Sequence, residues 1–261
     1  MLDLVDLLLL RRGIPADDRT IASRRIDGVP TAKVIYFLPW HTPFAFARHA
    51  GFIPLDFLAC YEMPTAIVSS EPALCVQAML GLVGDAERLL ASRGLGEDAV
   101  IVGLSVGSYP ATYLANRIGA RLCSVASADR GDLAIWESPA TSIVKRRAMH
   151  KGYELSHYSD ALIGTHPADN LVGIGAGSVF VMGDRDPYVP SRCKTGLALA
   201  IEKRARDAEI VKLRAGHFKT LMASARYQRR MLGIERTRPW QLRVSSLSLP
   251  QLSQPRSASE R

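Results

Sequence analysis

One serine of this chain lies where its hydroxyl could act as a nucleophile. Gly103 and Gly107 flank Ser105 at two residues on either side, which gives the pattern G-x-S-x-G. Residues 99–104 are apolar and rich in β-branched side chains, as in a strand buried on both faces, and the residues after Ser105 are apolar at helical spacing. A serine in so sharp a strand-to-helix turn has strained backbone angles, and glycines two residues away avoid a steric clash. The pattern predicts an exposed hydroxyl, with the N–H of Val106 pointing at any negative charge that develops beside it.

This strand, turn and helix resemble the nucleophile elbow of the α/β-hydrolase family. The resemblance extends to residues 183–190, which match the family pattern Gly-x-x-Asp-x-x-Val-Pro directly after a predicted strand. It also covers Gly216 and His217, which follow the last predicted strand; none of the other five histidines has that setting. The resemblance implies a catalytic triad of Ser105, Asp186 and His217, in the chain order that this fold uses.

Two further aspartates bear on the choice of the triad acid. Asp129 is the alternative to Asp186, because some relatives place the acid one strand earlier in the chain. Asp184 lies close to Asp186 in sequence, and we expect it to cap the turn or to form a salt bridge.

The loop after the predicted strand 33–38 is expected to complete the oxyanion hole with Val106. In the family this loop supplies a second backbone N–H, often from a His-Gly motif, but Pro39 stands at that position and has no N–H to donate. The resemblance therefore implies that Trp40 or His41 provides the amide. The Trp40 side chain fits two roles equally well, a wall of the substrate site or an aromatic plug over the edge of the sheet.

The elements that must position these residues alternate between short β-branched strands and longer amphipathic helices. Such alternation predicts an α/β fold with a mostly parallel, doubly wound sheet, whose ligands bind beyond the carboxyl ends of the strands. The predicted strands are 20–26, 33–38, 55–61, 99–104, 121–126, 178–183 and 210–213. The predicted helices are 44–50, 73–93, 106–119, 190–206 and 219–231. Residues 129–177 break this rhythm with short helical pieces at 134–136, 142–150 and 153–163, which the resemblance identifies as a small lid in a hydrolase domain of residues 1–234.

Charge and composition narrow the class of protein. The formal net charge is +8, but +6 of it lies from Arg226 onward, where eight arginines face two glutamates. We therefore interpret residues 235–261 as a flexible, solvated basic tail and expect no nucleic-acid partner.

The N-terminus and the cysteines bear on location. Residues 1–13 have acids before the leucine run and arginines after it, the reverse of a secretory signal, so they predict a helix packed on the domain. Contact of this helix with a membrane surface is the alternative that the leucines leave open. The cysteines, Cys60, Cys75, Cys123 and Cys193, are widely spaced, which indicates buried thiols in a reducing, cytoplasmic setting without a metal site.

The chemistry implied by the resemblance is the hydrolysis of a carboxylic ester or thioester of a small or medium acyl substrate, with no cofactor. Two other functions stay open from the sequence: an acyltransferase that uses the same triad with an alcohol or amine in place of water, and a catalytically silent binding protein of this fold. The sequence sets no oligomeric state.

Overall fold

The architecture is a seven-stranded sheet flanked by helices on both faces. The computed structural model describes residues 17–234. The strands are β1 (Arg24–Asp27), β2 (Val34–Phe37), β3 (Ala59–Glu62), β4 (Val100–Leu104), β5 (Arg121–Val125), β6 (Val179–Gly183) and β7 (Glu209–Leu213). They lie in the order β1-β3-β2-β4-β5-β6-β7, and every neighbouring pair is parallel except β1 with β3. The doubly wound sheet predicted from the sequence is confirmed, with β4 in its centre.

Alternating side chains of the strands feed two separate hydrophobic clusters, one on each face of the sheet. The helices are α1 (Phe44–His49), α2 (Pro72–Ser92), α3 (Ser108–Ile118), α4 (Gly131–Glu137), α5 (Ser142–His150), α6 (Leu155–Ala161), α7 (Ser191–Arg204), α8 (His217–Ala223) and α9 (Ala225–Met231). One cluster joins the sheet to α2, α3, α7 and the helices α4 to α6. The other joins the opposite face to α1, α8 and α9. The carboxyl ends of the parallel strands thus lie at an edge where both clusters meet.

Several element boundaries differ from the prediction. The predicted strand 20–26 is shorter in the structure, where β1 begins at Arg24. The predicted strand 55–61 begins only at Ala59. Leu55 and Phe57 lie in the loop before it with their side chains buried, while Asp56 between them is exposed. The predicted helix 219–231 is two helices that meet at Ser224, whose hydroxyl donates to the carbonyl of Leu221 and so competes with a continuous helix. His217 lies not in a loop but at the first position of α8.

Several predictions about the ends of the chain lie outside the described residues. These are the helix within residues 1–13 and the basic tail 235–261. Within residues 17–234, no helix combines the length and the apolar character that a membrane crossing requires. The four cysteines are buried as free thiols, as the sequence predicts.

Helix α3 packs so closely on the sheet that two positions of the elbow admit no side chain. A Cβ at Gly103 would lie 2.5 Å from the Cα of Ser108 and 2.8 Å from the carbonyl oxygen of Gly107. A Cβ at Gly107 would overlap the carbonyl of Phe37 and lie 2.6 Å from that of Leu38, at the end of β2. The predicted crowding between the two glycines is thus present, and the tightest contact of Gly107 is with the neighbouring strand.

We expect Gly107→Ala to lower the free energy of unfolding by about 1–3 kcal/mol, because the new methyl group meets backbone atoms that cannot rotate away. The matched control is Gly81→Ala. Gly81 is an exposed glycine within α2 with no atom near the added Cβ, so alanine should stabilise by about 0.5–1 kcal/mol through the helix. Urea unfolding of the two variants measures both values, and equal effects would contradict the close packing described for the elbow.

Candidate active site

Ser105 lies in a strained turn at the carboxyl end of the central strand. It follows β4 directly and opens a 3₁₀ turn, Ser105–Gly107, that leads into α3. Its φ is 55°, a left-handed value that costs a non-glycine residue about 1–3 kcal/mol. The turn has the geometry that the G-x-S-x-G pattern predicts, and it places Ser105 on the wall of a cavity.

Asp186 and His217 come together behind this cavity. The Nδ1 atom of His217 lies 2.7 Å from Oδ2 of Asp186, and their side chains are 9% and 1% exposed. The other carboxylate oxygen of Asp186 accepts hydrogen bonds from the backbone N–H groups of Tyr188 at 2.8 Å and Val189 at 3.3 Å. Both oxygens of the buried carboxylate are therefore occupied, and its orientation toward the imidazole is fixed.

Lys194 of α7 holds the backbone turn that presents this carboxylate. Its ammonium group donates to the carbonyl oxygens of Gly183, Asp184 and Asp186, each at 3.2 Å. A lysine has three N–H donors and no acceptor, so these contacts fit its full hydrogen-bonding capacity. Sequence reasoning did not find Lys194, since its spacing from Asp186 is that of any residue in the first turn of the following helix.

The imidazole has an aromatic neighbour that the sequence also did not reveal. The ring of Tyr188 meets that of His217 edge to face, with centroids 4.9 Å apart and planes at 86°. Tyr188 lies within the matched acid motif, at a position where the motif accepts any residue. It packs against the imidazole and also lines the cavity.

The cavity has a volume of about 380 Å³, in the range of small-molecule sites. Ser105 and His217 both line it, and so do the three residues predicted for the oxyanion hole, Val106, Trp40 and His41. The sequence-predicted site residues other than Asp186 therefore share one cavity, and Asp186 reaches it through His217.

The loop predicted to complete the oxyanion hole forms a tight turn after β2. The N–H of Thr42 donates to the carbonyl of Pro39 at 3.2 Å, and His41 has a φ of 54°, a second strained non-glycine conformation. Among the described residues, no backbone or side-chain acceptor takes the N–H of Trp40 or of His41. The ring centroids of Trp40 and His41 lie 4.1 Å apart, with the ring planes tilted at 46°. The buried indole N–H of Trp40 has no partner in the described chain. Partial burial lowers the pKa of His41 below its ordinary value, because it disfavours the charged imidazolium.

The two other aspartates lie elsewhere. Asp129 follows β5, and its carboxylate packs so closely on α7 that a Cβ at Gly196 would overlap it. One of its oxygens is buried without a hydrogen-bond partner among the described residues, and burial raises the pKa of Asp129 above its ordinary value. Asp184 is exposed, and its backbone carbonyl accepts from Lys194. The structure thus pairs His217 with Asp186.

Residues 17–234 contain no group of three or more histidine, cysteine, aspartate or glutamate side chains that could hold a metal ion.

Solved structures share this architecture. The acylaminoacyl peptidase of Pyrococcus horikoshii matches with a TM-score of 0.52 and 12% identity, over 82% of this chain and 38% of its own. An acylaminoacyl peptidase in complex with Z-Gly-Gly-Phe-chloromethyl ketone has a TM-score of 0.55 and 13% identity, over 82% and 39%. TT1662 from Thermus thermophilus has a TM-score of 0.51 and 14% identity, over 82% of this chain and 95% of its own.

The chain therefore spans about two fifths of the length of the peptidases and nearly the whole of TT1662. No protein-family model and no curated protein matches it. At these identities the likeness is one of architecture. With its sheet order, its elbow at the end of β4 and this shared architecture, the chain has the α/β-hydrolase fold.

Proposed function

We propose that this chain is a serine hydrolase that cleaves a carboxylic ester or thioester with Ser105 as nucleophile, His217 as base and Asp186 as the acid of the triad. The observation that carries the proposal is the buried 2.7 Å hydrogen bond between Asp186 and His217, on the wall of the cavity that Ser105 enters from its strained turn. A buried histidine fixed by a carboxylate and facing a serine is the arrangement that acyl transfer requires.

The Asp186 contact selects the histidine tautomer. Because Nδ1 donates its proton to Asp186, Nε2 is left as an acceptor on the cavity side. Nε2 takes the proton of the Ser105 hydroxyl as its oxygen attacks the substrate carbonyl carbon. The carboxylate of Asp186 then stabilises the imidazolium that forms.

The oxyanion of the tetrahedral intermediate is stabilised by backbone N–H groups. Val106 supplies one from the 3₁₀ turn, and Trp40 or His41 supplies the other from a loop whose amides no described acceptor occupies. One such donor lowers the barrier by about 3–4 kcal/mol in comparable enzymes.

The acyl-enzyme forms and breaks with a balanced proton count. His217 returns its proton to the leaving oxygen or sulfur as the carbonyl–leaving-group bond breaks, which leaves the acyl group on Ser105. A water molecule then loses a proton to His217, attacks the acyl carbon and releases the carboxylic acid as Ser105 recovers its proton.

We propose that residues 129–177 form the lid of this site. Side chains from α4 and the segment 138–143 line the cavity. The hydroxyl of buried Tyr158 donates to the carbonyl of Ser69 at 2.7 Å, and Lys151 donates to Ser70 and Glu71 at 2.8 and 2.9 Å. These contacts fix the helices α5 and α6 to the loop before α2. The lid is therefore held in one position over the cavity, where it keeps water out.

Ser105→Ala should abolish turnover and should also abolish labelling by a fluorescent serine-reactive phosphonate, because both need the Ser105 oxygen. Hydrolysis of p-nitrophenyl butyrate and in-gel fluorescence measure the two effects. The matched control is Ser92→Ala, an exposed serine at the end of α2 that does not line the cavity and should keep both signals. Wild-type protein that neither turns over nor labels would show a catalytically silent binding protein, and product formed only with an added alcohol or amine would show an acyltransferase.

Asp186→Asn should lower kcat by about 10³- to 10⁴-fold, because an amide no longer selects the tautomer that leaves Nε2 free. Asp129→Asn is the matched comparison, since Asp129 is the other aspartate at this edge of the sheet and lies against α7. It should leave kcat within about twofold and should change stability instead, because it replaces a buried carboxylate whose oxygen has no partner. Steady-state kinetics and thermal melting of both variants distinguish the two aspartates. A large loss of kcat in Asp129→Asn with near-normal kcat in Asp186→Asn would show that Asp129 is the acid of the triad.

Lys194→Met should lower kcat by about 10- to 100-fold with little change in KM, since it frees the turn that aims Asp186 at the imidazole. Lys194→Arg, which keeps a cationic donor, should recover part of kcat. Lys203→Met is the control from the exposed end of the same helix. A Lys194→Met protein that melts earlier but keeps the wild-type kcat would reduce Lys194 to a structural role.

A further inference from the structure

The cavity draws its walls from both hydrophobic clusters, although the sheet separates these clusters elsewhere. On one side its wall is an aliphatic compartment, formed by Ile67, Val68, Met79, Ile135 and Leu162, which belong to the cluster of α2, α3 and the lid. On the other side it is an aromatic compartment, formed by Phe46, Phe52, Phe218 and Leu221, which belong to or pack on the cluster of α1, α8 and α9. Ser105 lies at the strand end where the two clusters meet.

The aromatic compartment is a connected set of rings. The centroids of Phe52 and Phe218 are 5.3 Å apart, and Phe46 lies 6.1 Å from Phe52 and 6.4 Å from Phe218. The interplanar angle is 66° for Phe52 with Phe218, 82° for Phe46 with Phe52 and 50° for Phe46 with Phe218, the geometry of edge-to-face and tilted pairs. The five residues of the aliphatic compartment include no aromatic ring, although Trp40, which packs on the same cluster, also lines the cavity.

No formal charge faces the substrate. Among the described residues that line the cavity there is no aspartate, glutamate, lysine or arginine. An ionised substrate group would have to give up its hydration without gaining a partner there, which is strongly unfavourable. The cavity therefore selects groups that are neutral on both sides of the scissile bond.

The mechanism sets the direction of the substrate. His217 donates a proton to the leaving atom, so the leaving group must lie on the imidazole side of Ser105. Phe218 follows His217 in the chain, and Leu221 lies one helical turn further along α8. The aromatic compartment is therefore the one beside the imidazole, and the aliphatic compartment lies beyond Val106, on the side of the lid.

We infer that the preferred substrates are uncharged esters with an apolar group on each side of the scissile bond, an aliphatic acyl chain in the lid-side compartment and a bulky, preferably aromatic, leaving group beside His217. This inference rests on the proposed hydrolase function and goes further by assigning each compartment to one half of the substrate.

Two ester series test the two assignments independently. Ethyl esters of acetate, butyrate, hexanoate and octanoate vary the acyl chain, and ethyl, cyclohexylmethyl and benzyl butyrate vary the leaving group at similar alcohol acidity. Wild-type kcat/KM, followed by pH-stat titration, should rise about fourfold per added methylene until the lid-side compartment is full. It should also be about 2- to 10-fold higher for benzyl than for cyclohexylmethyl butyrate.

One variant in each compartment should change one series only. Ile135→Phe fills the aliphatic compartment and should move the acyl optimum to a shorter chain while the benzyl preference stays. Phe46→Leu removes a ring and should reduce the benzyl preference by about 3- to 10-fold while the acyl optimum stays. The controls are Leu133→Phe in α4 and Phe44→Leu in α1, partly buried residues of the same helices that do not line the cavity. Exchanged effects, or effects no larger than those of the controls, would overturn the assignment.

A binding measurement separates this inference from the proposed function. Isothermal titration calorimetry should detect binding of benzyl butyrate to the Ser105→Ala protein, and the affinity should fall when Phe46→Leu is added to that variant. The affinity for hexyl butyrate should be the same with and without Phe46→Leu. If the ligands bind with this pattern but the wild type shows no turnover, the proposed hydrolase function is wrong and the assignment of the two compartments stands. If the wild type turns over but prefers charged or small polar esters, the proposed hydrolase function stands and the assignment of the compartments is wrong.

Discussion

The site depends on a single register, that of the last two parallel strands. Gly183 of β6 pairs with Leu213 of β7, so both strands end at the same level of the sheet. Asp186 follows three residues after the first and His217 four residues after the second, and the 2.7 Å hydrogen bond joins these two short extensions. A shift of the register by one residue would move the imidazole by about 3.3 Å along the strand and break this contact.

A second close approach couples the turn at Ser105 to the loop after β2. Gly107 lies against the carbonyl groups of Phe37 and Leu38, and the turn that carries Trp40 and His41 begins one residue later. Movement of the elbow helix would therefore move the end of β2 with it. The position of Ser105 relative to the amides of this loop is thus set by the close packing of backbone atoms.

The sequence predicted those parts of the site that depend on local spacing. Ser105, Asp186 and His217 each lie within a few residues of a strand end, and their motifs contain the glycines and prolines that shape the backbone there. Lys194 escaped prediction because its three acceptors are carbonyl groups, which every residue has. The late start of β3 and the break at Ser224 escaped prediction for a different reason: neither changes the hydrophobic pattern. Leu55 and Phe57 are buried although they lie in a loop, and the bond from the Ser224 hydroxyl forms within a segment whose pattern predicts one continuous helix.

Backbone strain points to the same place as the motifs, and at His41 and Ala126 it lies outside them. Within residues 17–234, the non-glycine residues with positive φ are His41, Ser105 and Ala126, and each follows the end of a different strand among the neighbours β2, β4 and β5. All three line the one cavity. Each conformation costs about 1–3 kcal/mol and persists because surrounding contacts hold it, as the hydrogen bond from the Ala126 N–H to the carbonyl of Val181 does at 2.8 Å. Without a functional constraint at this edge of the sheet, such turns would be expected to adopt unstrained conformations. Their concentration around Ser105 therefore argues for a functional site at this edge.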